Sequence, residues 1–152
     1  MMYTFREAQP SDATACVKIL SDFFDESDWL PFNFGELSSV EEWWCDHFRN
    51  EKAWVATKGD QIVGFCSRQQ YNNNISALYV VPKARNSGVG KRLLDLAKEN
   101  CDEIIVWAFE LNTEARRFYR REGLVEVDRE LDEELNIMDV EHHWKRRSKS
   151  TS

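Results

Sequence analysis

The chain has 152 residues, the length of one domain with room for a buried core. Hydrophobic residues make up 42%, aromatics 12% and charged residues 31%, which excludes a disordered or low-complexity fibrous chain. The formal charge of −7, from 20 Lys and Arg against 27 Asp and Glu, argues against bulk binding of nucleic acid or anionic membrane.

In chain order, residues 3–8 read as a short strand. Pro10, Ser11 and Asp12 offer helix-start chemistry for residues 13–24, where Cys16, Val17, Leu20, Phe23 and Phe24 recur at helical spacing. Residues 25–39, with Pro31, Gly35 and several acids, read as a long loop, and residues 40–48 as a second helix. Residues 53–57 and 62–69 read as strands joined by a turn at Gly59. A third strand, 75–81, is stopped by Pro82. Residues 89–100 place Val89, Leu93, Leu94, Leu96 and Ala97 on one helical face, and 103–109 form a buried strand rich in β-branched and aromatic residues. Asn112 is an N-cap for a helix to about Glu122, with Gly123 as its stop. Residues 124–129 and 135–144 close the chain as two strands. The order β-α-α-β-β-β-α-β-α-β-β is a mixed α/β domain over residues 1–144, followed by a basic tail, 145–152, expected to be disordered.

The longest uninterrupted apolar run, Ile104 to Phe109, is too short to span a membrane as a helix. The N-terminus lacks a basic segment followed by an apolar one, so no secretion signal and a cytoplasmic location are expected. Cys16, Cys45, Cys66 and Cys101 have neither zinc nor disulfide-framework spacing and read as thiols in a reducing compartment. His47, His142 and His143 lack metal-ligand spacing, so no metal is expected.

The segment Arg85-Asn86-Ser87-Gly88-Val89-Gly90-Lys91-Arg92 lies between a strand and a helix. Its glycines permit close backbone approach, and the first-turn N–H groups of a helix form an anion site. A Walker A loop needs glycine where Arg85 stands and Ser or Thr where Arg92 stands. A dinucleotide fingerprint needs a third glycine where Leu93 stands. Both are therefore excluded, leaving an ordinary β–α turn or a different anion loop.

The run Leu78-Tyr79-Val80-Val81-Pro82, then Arg85-x-x-Gly88-x-Gly90 and Leu93-Leu94, resembles motif A of the GNAT superfamily of acyl-CoA-dependent N-acetyltransferases. Asn112-x-x-Ala115-x-x-Phe118-Tyr119-x-x-x-Gly123-Leu124 resembles motif B of the same family, in the right order. The resemblance implies the GNAT fold: a mixed central sheet of six to seven strands with splayed central strands, flanked by about four helices. It also implies acetyl-CoA as cosubstrate, its pantetheine arm lying between the strands 75–81 and 103–109.

By that resemblance, main-chain groups of Leu78, Tyr79 and Val80 hold the pantetheine, and the Val80 N–H polarises the thioester carbonyl. Fixed donors aimed at a developing oxyanion are usually the largest electrostatic contribution in acyl transfer. The N–H groups of Arg85, Asn86, Ser87, Gly88, Val89, Gly90 and Lys91 take the pyrophosphate. Asn112 touches the pantetheine, and Tyr119 protonates the departing thiolate. Asn112 and Tyr119 are seven residues apart, about two helical turns, so both present to one face. Many relatives carry a glutamate on the strand before the Leu-Tyr-Val run, where this chain has Asn74, Ile75, Ser76 and Ala77. Glu110 is the leading substitute as base, ahead of Glu126 and His142. Deprotonation to solvent is the remaining alternative.

Between Ile19 and Phe48 there are eight acids, eight aromatics and no Lys or Arg, and from Glu130 to Trp144 six acids and no Lys or Arg. In the family these regions wall the acceptor site, so Trp29, Phe32 and Glu36 are expected to meet a cationic amine by charge and cation–π contact. From Gln61 to Leu94 there is no acid, which suits an anionic cofactor. Arg116, Arg117, Arg120 and Arg121 read as a solvated helix face in preference to a phosphate contact. The function expected is acetyl transfer to a small cationic primary amine by direct attack, with no cysteine placed for a covalent acyl intermediate. The alternatives are acetylation of a protein lysine or N-terminus, or a non-catalytic acyl-CoA-binding sensor. A homodimer is left open.

Overall fold

The computed structural model describes residues 2–30, 37–133 and 135–147. Its elements are β1 (Thr4–Glu7), α1 (Ala13–Glu26), α2 (Leu37–Asn50), β2 (Lys52–Lys58), β3 (Gln61–Arg68), β4 (Asn74–Val80), α3 (Val89–Lys98), β5 (Glu103–Phe109), α4 (Thr113–Arg121), β6 (Val125–Asp132) and β7 (Ile137–Lys145). Single 3-10 turns at Pro10–Asp12 and Pro82–Ala84 precede α1 and follow β4. Seven strands and four α-helices among the described residues meet the expected count.

Asp12 sets the start of the first helical unit. Its carboxylate accepts from the Gln9 N–H at 2.8 Å and from two Arg6 nitrogens at 2.8 and 3.0 Å. The Arg6 guanidinium beside it holds the Asp12 carboxyl below the usual carboxylate range, against the opposing effect of burial. Ala13, Cys16, Val17, Ile19 and Leu20 are then buried, the stripe that i, i+3, i+4 spacing produces. The loop expected over 25–39 is shorter at both ends, because α1 runs to Glu26 and α2 begins at Leu37.

The strands form one sheet in the order β1-β2-β3-β4-β5-β7-β6. Neighbours are antiparallel except β4 and β5. That parallel pair registers only at Asn74↔Ile105 and Ile75↔Val106. β4 goes on to Val80 beside β3, and β5 to Phe109 beside β7. The sheet therefore opens into a wedge between the two strands. On one face α3 and α4 bury Val89, Leu93, Leu94, Ala97 and Tyr119 against Ile104, Val106 and Ala108. On the other, α1 and α2 bury Val17, Leu20, Trp44 and Phe48 against Val55 and Phe65.

The tail expected from Lys145 begins later. Lys145 pairs with Glu103 as the last residue of β7. Arg146 is held by its N–H on Asp102 O at 2.7 Å, its guanidinium on Lys98 O at 2.7 Å and a place over the Trp144 ring. Paired main-chain groups and a partly buried aromatic neighbour outweigh the local polar composition there. Residues 148–152 lie outside the described residues.

Candidate active site

The wedge is lined by main chain as well as side chains. The Val81 N–H donates to Val63 O at 2.9 Å, flanking the pair Gly64↔Val80. In an antiparallel ladder this makes Val80 and Leu78 the residues whose N–H and C=O point away from β3, into the wedge. Tyr79 points its main-chain groups at β3, so of the three expected main-chain contacts only those of Leu78 and Val80 face the opening; Tyr79 contributes its ring. Val80 O is taken by Arg85 Nε at 2.9 Å, which leaves the Val80 N–H as a donor facing the wedge.

After Pro82 the chain turns through Asn86 (φ 62°) and Gly88 (φ 87°) into α3. Gly88 is in the left-handed region that disfavours a Cβ, and it aims the following peptides along the helix start. None of the N–H groups of Asn86 to Lys91 finds a backbone acceptor among the described residues. Together they form the open donor cradle that an anionic group fits. Arg85 spans from Val80 O to Glu26 Oε1 at 2.6 Å and so joins the end of β4 to the end of α1. Ser87 turns its hydroxyl onto Ala84 O, and the Val89 side chain is core. Those two can offer the cradle only their peptides.

A cavity of about 410 Å³ runs from this cradle to α4. Its lining includes Leu78, Tyr79, Val80, Arg85, Asn86, Gly88, Gly90, Lys91, Asn112 and Tyr119. Arg117 and Arg121, read from the sequence as a solvated face, also line it. Arg116 instead turns to a partly buried pair with Glu126 at 3.1 Å. Asn112 accepts from the Ala115 N–H at 3.2 Å and so caps α4. An inner cavity of about 220 Å³ shares Phe23, Leu78, Tyr79, Asn112, Ala115 and Tyr119 with the first. Beyond those it is bounded by Ser76, Trp107, Phe109 and Asp139, among others.

Tyr119 thus stands at the junction of the two cavities. Its ring packs on Phe118 and His142, with centroids at 5.5 and 5.3 Å. Burial pushes its hydroxyl pKa up, so it stays a proton donor at any physiological pH. Asp139 is the only carboxylate lining the inner cavity among the described residues. Burial, then the nearby Asp132 and Glu130, push its carboxyl up to about 6.

The expected bases lie elsewhere. Glu110 lines neither cavity; its carboxylate is paired with Arg129 on β6, and Arg116 donates to its carbonyl. Glu126 is bound by Arg116, which holds its carboxyl below the usual range. His142 is fully buried, and burial pushes its imidazole down. Its Nε2 is 3.5 Å from Glu126. Register sets these positions: Glu110 follows β5 on the side that meets Arg129, whereas Asp139 is paired with Phe109, the last residue of β5.

Trp29 lines neither cavity; its ring packs on two residues of the inner one, at 6.2 Å from Phe23 and 5.7 Å from Phe109. Phe32 and Glu36 lie outside the described residues. Of the other aromatics in the acidic segment, Trp44 is core and Trp43 stacks on His47 at 4.8 Å.

The family model for the acetyltransferase (GNAT) domain matches residues 49–126. The peptidyl-lysine N-acetyltransferase YiaC of Escherichia coli K12 is 26% identical over 131 residues, covering 81% of this chain and 84% of that one. Apo-form YjaB of Escherichia coli has the same fold at TM-score 0.74 and 22% identity, over 97% of this chain and all of that one. YncA of Salmonella typhimurium, solved with its cofactor acetyl-CoA, matches at TM-score 0.73 and 14% identity, over 98% and 96% of the two chains.

Proposed function

The chain belongs to the GNAT acetyltransferase family, an acyltransferase, and from that premise we propose that it moves the acetyl group of acetyl-CoA to the primary amine of a small cationic acceptor. The observation that carries the acceptor's charge is the inner cavity, where five aromatic residues, Phe23, Tyr79, Trp107, Phe109 and Tyr119, share the lining with one carboxylate, Asp139. An alkylammonium is recognised by that pairing of anion and ring faces.

Acetyl-CoA supplies an activated thioester and two phosphate-bearing anionic groups. The open donors of Asn86 to Lys91, with Arg117 and Arg121 across the cavity, fit the anion. The Leu78 and Val80 peptides line the wedge as donors for an extended amide-containing arm. The Val80 N–H serves a developing oxyanion, since it is fixed by the strand and needs no reorientation when charge appears. Tyr119 holds its proton at Oη beside the junction and gives it to the leaving group. Asn112 keeps α4, and with it Tyr119, oriented against the wedge.

The similarity to a peptidyl-lysine acetyltransferase favours a second reading, a lysine side chain on a protein. Both acceptors present the same protonated alkylamine. The test is a panel of diamines, polyamines and lysine-containing peptides with acetyl-CoA, read as free thiol released and as acetylated product by mass. Release with small cationic amines at lower KM than with peptides is the expected result; peptides alone as substrates would move the assignment to the second reading.

A further inference from the structure

We infer that Asp139 is the catalytic base, the group that removes the proton from the acceptor ammonium, an inference that rests on the amine-acceptor reading above. Four features of the site carry it. Asp139 is the only carboxylate lining the inner cavity among the described residues. No described cation or donor pairs with its side chain, whereas Glu110 and Glu126 are both taken by arginines. It shares that cavity with Tyr119, the expected acid, which also borders the outer cavity that carries the anion cradle. The cavity that holds the cradle and the cavity that holds Asp139 thus meet at Tyr119. Finally, strand β4 offers Asn74, Ile75, Ser76 and Ala77 there and no carboxylate of its own.

The groups that face Asp139 are Tyr79 from β4, Tyr119 from α4, and Glu130 and Asp132 from β6; α1 and β5 contribute the rings of Phe23 and Phe109. All the charged neighbours are acids, so nothing there stabilises the carboxylate, and it titrates near the pH at which a base must work. The step balances simply. One proton passes from the ammonium to an Asp139 oxygen, and the freed lone pair forms the carbon–nitrogen bond. The carbon–sulfur pair leaves with sulfur, which takes the Tyr119 proton. The attacking nitrogen, cationic once the carbon–nitrogen bond has formed, gives up its second proton to solvent as the adduct collapses. Solvent also takes the proton from Asp139 and reprotonates Tyr119, so the net products are amide, thiol and one proton.

The experiment combines kinetics with a readout on the protein itself. In the wild type, kcat/KM for the best amine of the panel falls as pH drops through about 6. Asp139→Asn lowers kcat by ~10²-fold or more with little change in KM and removes that limb, while Asp139→Glu restores part of the rate. The melting shift that coenzyme A induces stays equal in all three, which shows that the variants are folded and the cradle is intact. Carboxyl-carbon NMR of the wild-type protein shows Asp139 titrating near 6 and needs no variant. An Asn variant that raises KM but keeps kcat and the acid limb would overturn the base role and leave a counterion. So would a titration in the ordinary aspartate range. Failure of the wild type to acetylate any amine would instead sink the acceptor reading.

Discussion

Tyr119 is buried and Asp139 half-buried, and the proposed acid and base roles use that in opposite ways. Burial favours the neutral form of each. For Tyr119 that form is the working one, so Tyr119→Phe removes a donor without removing a charge. Its ring contacts with Phe118 and His142 survive, and kcat for thiol release should drop ~10²–10⁴-fold. The acid limb keeps its position, because Tyr119 is not among the groups that set the Asp139 titration. For Asp139 the working form is the charged one, and it costs stability. Its folded-state pKa of about 6 lies above the ordinary 3.8. Between those values the folded chain binds more protons than the unfolded one, so stability falls as pH rises through that window. Asp139→Asn should accordingly melt higher than wild type above about pH 6, by on the order of 1 kcal/mol or ~3 °C. The difference should vanish below about pH 4, as scanning calorimetry across pH would show.

Strand pairing supplies the fields around these residues. Register sets Glu130 of β6 directly opposite Asp139 of β7, and Asp128 opposite Glu141. Like charges facing across an antiparallel pair are destabilising by a few tenths to about 1 kcal/mol. Glu130 raises the Asp139 carboxyl and is itself exposed. Glu130→Gln should stabilise the protein by that modest amount and move the acid limb of the rate profile to lower pH. A limb that stays in place would separate Glu130 from the site. These strand relations explain what the sequence could and could not reveal. The elements were legible from period and punctuation: Pro82 ending β4, Asn112 capping α4, and alternating or β-branched runs for the strands. The glycine turn into α3 was legible because its signal is local, within residues 85–91. Asp139 was not, since six acids lie between Glu130 and Trp144 and nothing local distinguishes one of them. Its place depends on β7 entering between β5 and β6 in one register, a long-range fact. Arg117 and Arg121 are exposed, as a solvated face requires, and it is the fold that sets that face beside the outer cavity.

At the scale of the whole molecule, one sheet carries an acid-free stretch in β3 and β4 and a ladder of facing acids at its β7–β6 edge. The stretch from Gln61 to Leu94, free of acids, supplies β4 and the cradle at the outer cavity. The inner cavity is bounded by Asp139 of β7, which pairs with the exposed Glu130 of β6. The net −7 is then a sum of two regions with different partners. Exposed charges act over about 10 Å at 0.1 M salt, and screening shortens that reach. A cationic acceptor approaching past Asp128 and Glu130 should therefore lose attraction as salt is raised. KM for a diamine should climb several-fold between low and physiological ionic strength, and more steeply for a polyamine of higher charge. The kcat should hold, because Asp139 and Tyr119 lie inside the partly enclosed cavity, where screening is weak. Steady-state rates across a salt series, with a monoamine of the same length as control, measure this directly. Equal salt slopes for acceptors of one, two and three charges would show that the acid ladder plays no part in drawing the amine in.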